Sequence, residues 1–385
     1  MKGKKRQTKI FLTLIVLLLI LSIQLSLAED SQKPAIEFVE PTPQDEATQM
    51  IGIVDININI TEENLSSFTY KWNGINTTLY DSSLLLMYNF NNIESLGESS
   101  SHVYDVSGHG NNGSVQNQAT PTNPGKYNGA FSFDGIDDSI SIGELQFGQA
   151  FTVSTWIKPT AWGTSTDSYI HNIFSNENGA GSTFAFRLGS KGQYGYRDNL
   201  AVAIYQNGGA NDYESTQDLS LNTWQHVAAT WDGNTIKFYV NGEFTNQQSA
   251  SHTMDSGTKT FMIAHSPELN RPYAGEIDEL YAYNTVLNDT EIYQLYASNL
   301  HKINQTHWQF NVTQAKNTTE ELDLGTYTYQ VFATDLNSNT NSTEERTIYI
   351  VGITPPVPEA STLLLTAIGG IILVFAASTK KRRKK

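Results

Sequence analysis

The 385 residues contain no cysteine, which excludes disulfides, thiolate metal sites and cysteine nucleophiles together. Basic residues are also scarce once the ends are set aside. Of 24 Lys and Arg, five precede Ala28 and six follow Thr379, whereas all 39 Asp and Glu lie between, leaving a formal charge of −26 there. Such a surface repels nucleic acid and anionic lipid and suits divalent cations. The eight His are scattered, with no Ser-His-Asp or His-x-x-x-His arrangement, so the signatures of triad and zinc hydrolases are missing. Helical periodicity is nearly absent too. One segment carries it: Asn288-Asp-Thr-Glu291 has the spacing of a capping box, and Ile292, Leu295 and Tyr296 form the stripe behind it.

The ends read as addresses rather than fold. Residues 1–28 combine a basic start, an apolar run over Ile10–Leu27 and small residues at Ser26 and Ala28, the pattern of a secretory signal peptide; an uncleaved anchor is the alternative. Residues 362–379 are uncharged and apolar but for Thr362, Thr366, Ser378 and Thr379, and are followed by the basic tail 380–385. As a helix they would reach about 27 Å, enough for a bilayer core, with the cations held in the cytoplasm. Pro355-Pro-Val-Pro358, within the linker 353–361, is stiff and extended. The rest of the chain is expected to be exported and displayed at the cell surface. Asn-x-Ser/Thr sequons begin at Asn59, Asn64, Asn76, Asn112, Asn288, Asn304, Asn311, Asn317 and Asn341; in an exported chain they are glycosylation candidates.

Between the ends the pattern is strand and turn. Phe151–Ile157 alternates with period two, and Trp224–Trp231 and Ile236–Val240 flank Asp232-Gly233, with Asn241-Gly242 at the next turn. The expected fold is all-β, a sandwich or jelly roll. Residues 34–83 offer about three strands, around Ile36–Val39, Ile51–Ile60 and Phe68–Asn73. Residues 300–352 offer about three more, around Trp308–Val312, Tyr327–Thr334 and Thr347–Val351. Neither set makes a stable sandwich alone. Asp323-Leu-Gly-Thr-Tyr327 resembles the tyrosine-corner turn of immunoglobulin-like domains. We therefore expect one small immunoglobulin-like domain interrupted by a central domain at 84–298; two separate stalk segments are the alternative.

The central segment resembles a known family through six ordered motifs. Leu84–Asn92 opens like a laminin G-like, concanavalin A-like jelly roll. Asp105-Val-Ser-Gly-His-Gly-Asn-Asn-Gly113 is similar to that family's Asp-x-Ser-Gly-x-Gly-Asn-x-Gly loop, and Gly129–Asp138 to its Phe-Asp-Gly turn. Trp224–Gly233, Phe238–Gly242 and Gly275–Asn284 match the later strands in order. The resemblance implies an antiparallel jelly roll, a fold that serves adhesion, lectin, spacer and enzyme roles alike. Val357-Pro-Glu-Ala-Ser361, with the apolar stretch and basic tail behind it, resembles an exosortase-type sorting signal, implying a sorting peptidase as partner, although Ala360 stands where that signal has proline.

Catalysis is not expected. Jelly-roll β-glucanases carry Glu-x-Asp-x-x-Glu or Glu-x-Asp-x-Glu on one strand. Glu276 and Asp278 match the first two acids, but the next residue on the same face of a regular strand is Leu280, and residue 281 is Tyr. One carboxylate of the pair a retaining hydrolase needs is missing. Calcium is the expected cofactor, structural in role, with Asp105, Asn111, Asn112 and, by the resemblance, Asp278 as ligands. The alternative is that these side chains cap turns. Asp134, Asp137 and Asp138 form a second acidic cluster read as a turn on a solvated face. Trp162, Tyr194, Tyr196 and Arg197 lie in long segments at one rim and are the candidate ligand-binding residues, whereas Trp156, Trp224 and Trp231 are expected in the core. The reading is a non-catalytic surface protein that binds surface glycans or proteins. A purely structural envelope spacer is the main alternative and a glycoside hydrolase the remote one.

Overall fold

The structure, a computed structural model, describes residues 31–162, 170–177, 181–189, 198–257, 260–266 and 269–352. The signal segment 1–28, the linker 353–361, the apolar segment 362–379 and the basic tail lie outside them. Among the described residues no helix is long and apolar enough to cross a membrane.

Strands dominate, and they sort into four sheets. In the middle of the chain a front sheet runs in the spatial order Glu243–Ser249, Thr235–Val240, Gln225–Trp231, Phe151–Pro159, Ala274–Tyr283, Gly129–Asp134, Thr120–Tyr127, with Leu84–Tyr88 beside the far half of Ala274–Tyr283. A back sheet runs Gly209–Asp218, Asn199–Gln206, Phe184–Leu188, His171–Ser175, Thr260–Ile263, Ser139–Glu144, Gly113–Gln116, His102–Val103. The pairings within both are antiparallel. Their facing sides bury Phe131, Trp231, Phe238 and Ile277 from the front against Phe174, Phe186, Val202 and Ile263 from the back. Period-two alternation built this core: in Phe184–Leu188 the residues Phe184, Phe186 and Leu188 enter it, while Ala185 and Arg187 turn away. The turn signals act as their chemistry requires. Asn241 and Gly242 both adopt positive φ (51° and 78°) between Thr235–Val240 and Glu243–Ser249.

The strands on either side of this insertion pair with one another. Val54–Thr61 lies between Ala35–Val39 and His307–Gln314, with Ser298–Lys302 at the edge. The facing sheet orders Ala47–Gln49, Arg346–Ile350, Gly325–Asp335, Leu65–Trp72 and Ile75–Tyr80. Thr61 pairs with His307 across 246 residues of chain. The short strands Ala47–Gln49, Ile75–Tyr80, Ser298–Lys302 and Thr340–Ser342 escape the sequence reading, since each carries too few apolar residues to show a period. The Tyr327 hydroxyl returns to the backbone, donating to the Asp323 carbonyl at 2.9 Å.

The central strands of the front sheet are buried on both faces. The sheet's outer side brings Met87, Ala228, Tyr239, Tyr281 and Tyr283 into the host core beside Leu79, Ile292, Leu295 and Leu300. The helix Asp289–Ala297 fills this seam. The Asn288 side chain accepts from the Thr290 and Glu291 amides while the Glu291 carboxylate accepts from the Asn288 amide, so the box is closed in both directions. Replacing the cap, Asn288→Ala, is expected to lower stability by about 1 kcal/mol, read as a lower urea midpoint at unchanged m-value.

Two expectations are corrected here. Trp224 is half-buried with Lys158 near its ring (5.9 Å), and Trp156, though buried, lies on the outer side of the front sheet, stacked on Tyr296 of the helix. Trp231 is buried between the two sheets, so Trp156 (3% exposed) and Trp231 are both buried as expected and Trp224 is not. Leu280 is not on the face of Asp278 either. Trp156 pairs with Asp278 but Ser154 pairs with Tyr281, so Glu279 and Leu280 together oppose Thr155. This bulge, with Glu279 at φ 51°, shifts the alternation by one: Leu280 enters the core and Glu279 is expelled from it.

Candidate functional site

The loop expected to hold calcium holds itself. Asp105 is buried, and its Oδ1 accepts from the amides of Met87 (3.1 Å) and Ser107 (3.0 Å). Its Oδ2 accepts from the Ser107 hydroxyl and the Asn111 amide, both at 2.9 Å. Asn112 Oδ1 accepts from the Asp105 amide (2.8 Å), and Asn111 Nδ2 donates to the Leu85 carbonyl (2.8 Å). Both carboxylate oxygens are occupied by donors, the arrangement of a side chain capping its own turn, so these residues do not fit a calcium ion without losing those bonds. Asp278 belongs to a different network. Its Oδ2 accepts from the Tyr127 amide (2.9 Å), and burial holds its carboxyl above the usual range, with the neighbouring Glu279 adding to the rise. Glu276 shares its outer face but is paired with Lys158 (3.2 Å).

At the second acidic cluster the carboxylates of Asp134, Asp137 and Asp138 come within 4.8 Å of one another. Asp134 Oδ1 accepts from the Ile136 amide (2.8 Å) and Asp138 Oδ2 from the Asp134 amide (3.0 Å), as a turn requires. Of the predicted rim residues, Trp162 packs half-buried against the central core; Tyr194, Tyr196 and Arg197 lie outside the described residues. None of the nine sequon asparagines is buried, and Asn64, Asn76 and Asn288 are exposed.

Two arrangements were not anticipated. On the outer face of the back sheet Glu177 is buried among Arg187 (2.8 Å), Arg271 and the Tyr205 hydroxyl, and Arg187 continues to Asp212 at 2.6 Å. Burial alone would raise the Glu177 carboxyl; Arg187 and Arg271 overcome it and hold it down at about 2. The second is a groove of about 370 Å³ where the 104–109 loop of the insertion faces the host. Tyr104, His109, Asp81, Ser66, Lys302 and Trp308 are among its walls. The Tyr80 hydroxyl donates to the Val106 carbonyl at 3.0 Å and ties loop to host. Lys302 donates to the Glu63 carbonyl (3.0 Å) and sits 5.0 Å from the Trp308 ring centre, and burial lowers its ammonium below the usual lysine value. Trp308 and Tyr104 lie about 200 residues apart in sequence, so no local spacing marks them as neighbours.

Residues 134–293 match the family model of the concanavalin A-like lectin/glucanases superfamily. This segment is a domain of that superfamily. The strands between Leu84 and Asp134 lie in the same two sheets as this segment. No curated protein matches the sequence. Among solved structures, domain 4 of the extracellular arabinanase AbnA from Geobacillus stearothermophilus, in complex with arabinotriose, is similar at 20% identity and TM-score 0.43, over 55% of this chain and 98% of that one. The binding domain of Paraclostridial Mosquitocidal Protein 1 is similar at 16% identity and TM-score 0.44, over 56% and 52%. The receptor-binding domain of botulinum neurotoxin type G is similar at 16% and 0.42, over 56% and 51%. The chain thus spans about half the length of the two toxin domains.

Proposed function

We propose that this is a non-catalytic glycan-binding protein of the cell surface, and that it takes the glycan in the groove between the concanavalin A-like domain and an immunoglobulin-like host. The groove's chemistry carries the reading. A sugar offers an apolar C–H face and a rim of hydroxyls, so its sites pair an aromatic ring with hydroxyl, amide and carboxylate groups. Tyr104, half-buried, supplies the ring, Trp308 lies beneath as a buried floor, and Ser66, Asn64, Asp81, His109 and Lys302 supply the polar rim. The volume, about 370 Å³, is at the small-ligand end of binding clefts and suits a short oligosaccharide. Two of the lining acids, Asp81 and Asp105, are tied into turns, which argues against a free carboxylate pair astride a glycosidic bond. Export by the signal segment, anchoring by residues 362–379 or transfer by a sorting peptidase, and glycosylation of the sequons belong to the same proposal and rest on the sequence.

The test is a glycan array probed with the full chain and with Tyr104→Ala. Retention of a defined glycan that falls tenfold or more in Tyr104→Ala, with an unchanged circular dichroism spectrum, is the expected result. Retention of no glycan by the full chain would leave the spacer reading in its place, and sugar release on incubation would point to the hydrolase.

A further inference from the structure

Four large apolar side chains are left uncovered at one end of the host: Met50, Ile51, Ile53 and Leu324 are 70%, 61%, 42% and 69% exposed. Main-chain bonds make them neighbours. The Leu322 amide donates to the Gly52 carbonyl at 2.7 Å, and the Gly52 amide donates to Glu321 Oε2 at 3.0 Å. A Cβ at Gly52 would come within 2.5 Å of the Leu322 carbonyl oxygen, so glycine is what lets the two segments lie this close. The isoleucines on either side of Gly52 are thereby held near Leu324. The last host strand arrives at the same place. Ile350 pairs with Gly325, next to Leu324, and the Val351 amide donates to the carbonyl of Gln49, next to Met50, at 2.9 Å.

A single exposed apolar residue is ordinary, but four at one tip mark a surface that meets another apolar phase. Two features choose the phase. The first is where the chain goes. Val351 is bonded into this tip, and ten residues, 352–361, then connect it to the apolar stretch 362–379. Ten residues reach at most about 36 Å, so a bilayer that holds the stretch is within reach of the tip. The second is charge. Lys316 in the adjoining loop is paired with Glu320 (3.6 Å) and Asp323 (3.0 Å), while Glu321 is tied to the Gly52 amide. The loop carries more acid than base, which disfavours anionic headgroups and leaves a surface without net charge as the match.

We propose that this tip docks on a lipid bilayer without net surface charge, with Met50, Ile51, Ile53 and Leu324 sunk between headgroups and acyl chains. The proposal rests on the anchoring by residues 362–379 and goes beyond it. A tether alone leaves the folded part free to tilt, whereas apolar side chains in the interface add a second attachment and fix which end meets the lipid. The strand Gly325–Asp335 runs from Leu324 at the tip to Leu336 at the other end, where the Leu336 amide donates to the Asn64 carbonyl at 3.0 Å. Asn64 and Leu336 are among the walls of the groove, so docking by the tip holds the groove away from the lipid and open to ligand.

The absence of cysteine supplies the test, because one introduced thiol can be labelled uniquely. The full chain is reconstituted in phosphatidylcholine vesicles with an environment-sensitive fluorophore at a single position, and quenching by nitroxide-labelled lipid is read. Labels on Ile51→Cys and Leu324→Cys are expected to be quenched about twofold. A label on Leu336→Cys, about 40 Å away along the strand and as exposed as Leu324, should be untouched. Adding Met50→Ser and Ile53→Ser to the Leu324→Cys chain should abolish its quenching. Quenching that survives these serines would mean that the tether alone keeps the tip near lipid, and would overturn the proposal. So would a label at position 51 that is shielded from water yet unquenched, the result if a second copy of the chain covers the tip. Flotation of the vesicles separates the two readings. A chain that does not float with them removes the anchor and the docking together, whereas one that floats with positions 51 and 324 unquenched removes the docking alone.

Discussion

Residues 84–298, expressed without the flanking segments, are expected to self-associate rather than remain monomeric. In the whole protein the outer side of the front sheet is interior: Leu84, Met87, Tyr239, Tyr281 and Tyr283 share one cluster with host residues Leu79, Leu300, Phe310 and Val331. The helix adds Ile292 and Leu295 to the same cluster. Removing the host would open a contiguous apolar and aromatic face, and monomeric proteins do not tolerate large patches of this kind. Light scattering after size exclusion at micromolar concentration is the measurement. A monodisperse monomer with native near-ultraviolet dichroism would show that the host covers less than the packing implies. The result matters for ligand work, because glycan binding has to be measured on the whole chain.

Glu177→Gln is the point substitution expected to weaken the protein most, by about 3–5 kcal/mol in urea unfolding. The glutamate is the hub of a buried ion network, and replacing it takes the carboxylate from Arg271 and leaves Arg187 with Asp212 alone, away from water. The pH dependence has a definite sign. The Glu177 carboxyl lies at about 2 in the folded protein against an ordinary value of 4.5, so its contribution is complete above 4.5 and is lost as pH falls toward 2. The variant should lack this part of the acid destabilisation. A wild-type stability that is flat from pH 4.5 to 2, or a variant within 1 kcal/mol of wild type, would mean that the network is energetically idle.

What could be read from the sequence and what could not divide along a physical line. Signals confined to neighbouring residues were legible. The capping box at Asn288, the Asn241-Gly242 turn and the return of the Tyr327 hydroxyl each depend on a few adjacent residues, and each is formed. The all-β character came from period two. The Glu276–Leu280 face failed because a bulge changes the phase by one residue without any local mark, and Glu279 is not a residue whose positive φ is expected. The Asp105 loop was legible as a motif but not as chemistry: the same Asp and Asn oxygens that suit calcium also suit backbone amides, and only the distances decide. The groove and the Glu177 network are assembled from residues far apart in sequence, where spacing carries no information.

The hydrogen bond from the Asn284 amide to the Ser83 carbonyl, 2.9 Å long, sits where Leu84 pairs with Tyr283, and it has a consequence for how the chain folds. The host must bring its first five strands to strands that begin only after about 200 further residues. Closing a floppy loop of that length, compared with one of a few residues, costs about 4 kcal/mol in chain entropy. Once the insertion has formed, its first and last strands lie side by side, and the two ends it returns to the host are already neighbours. Seen from the host, the folded insertion is then a short turn, and the order of events this favours is insertion first, host second.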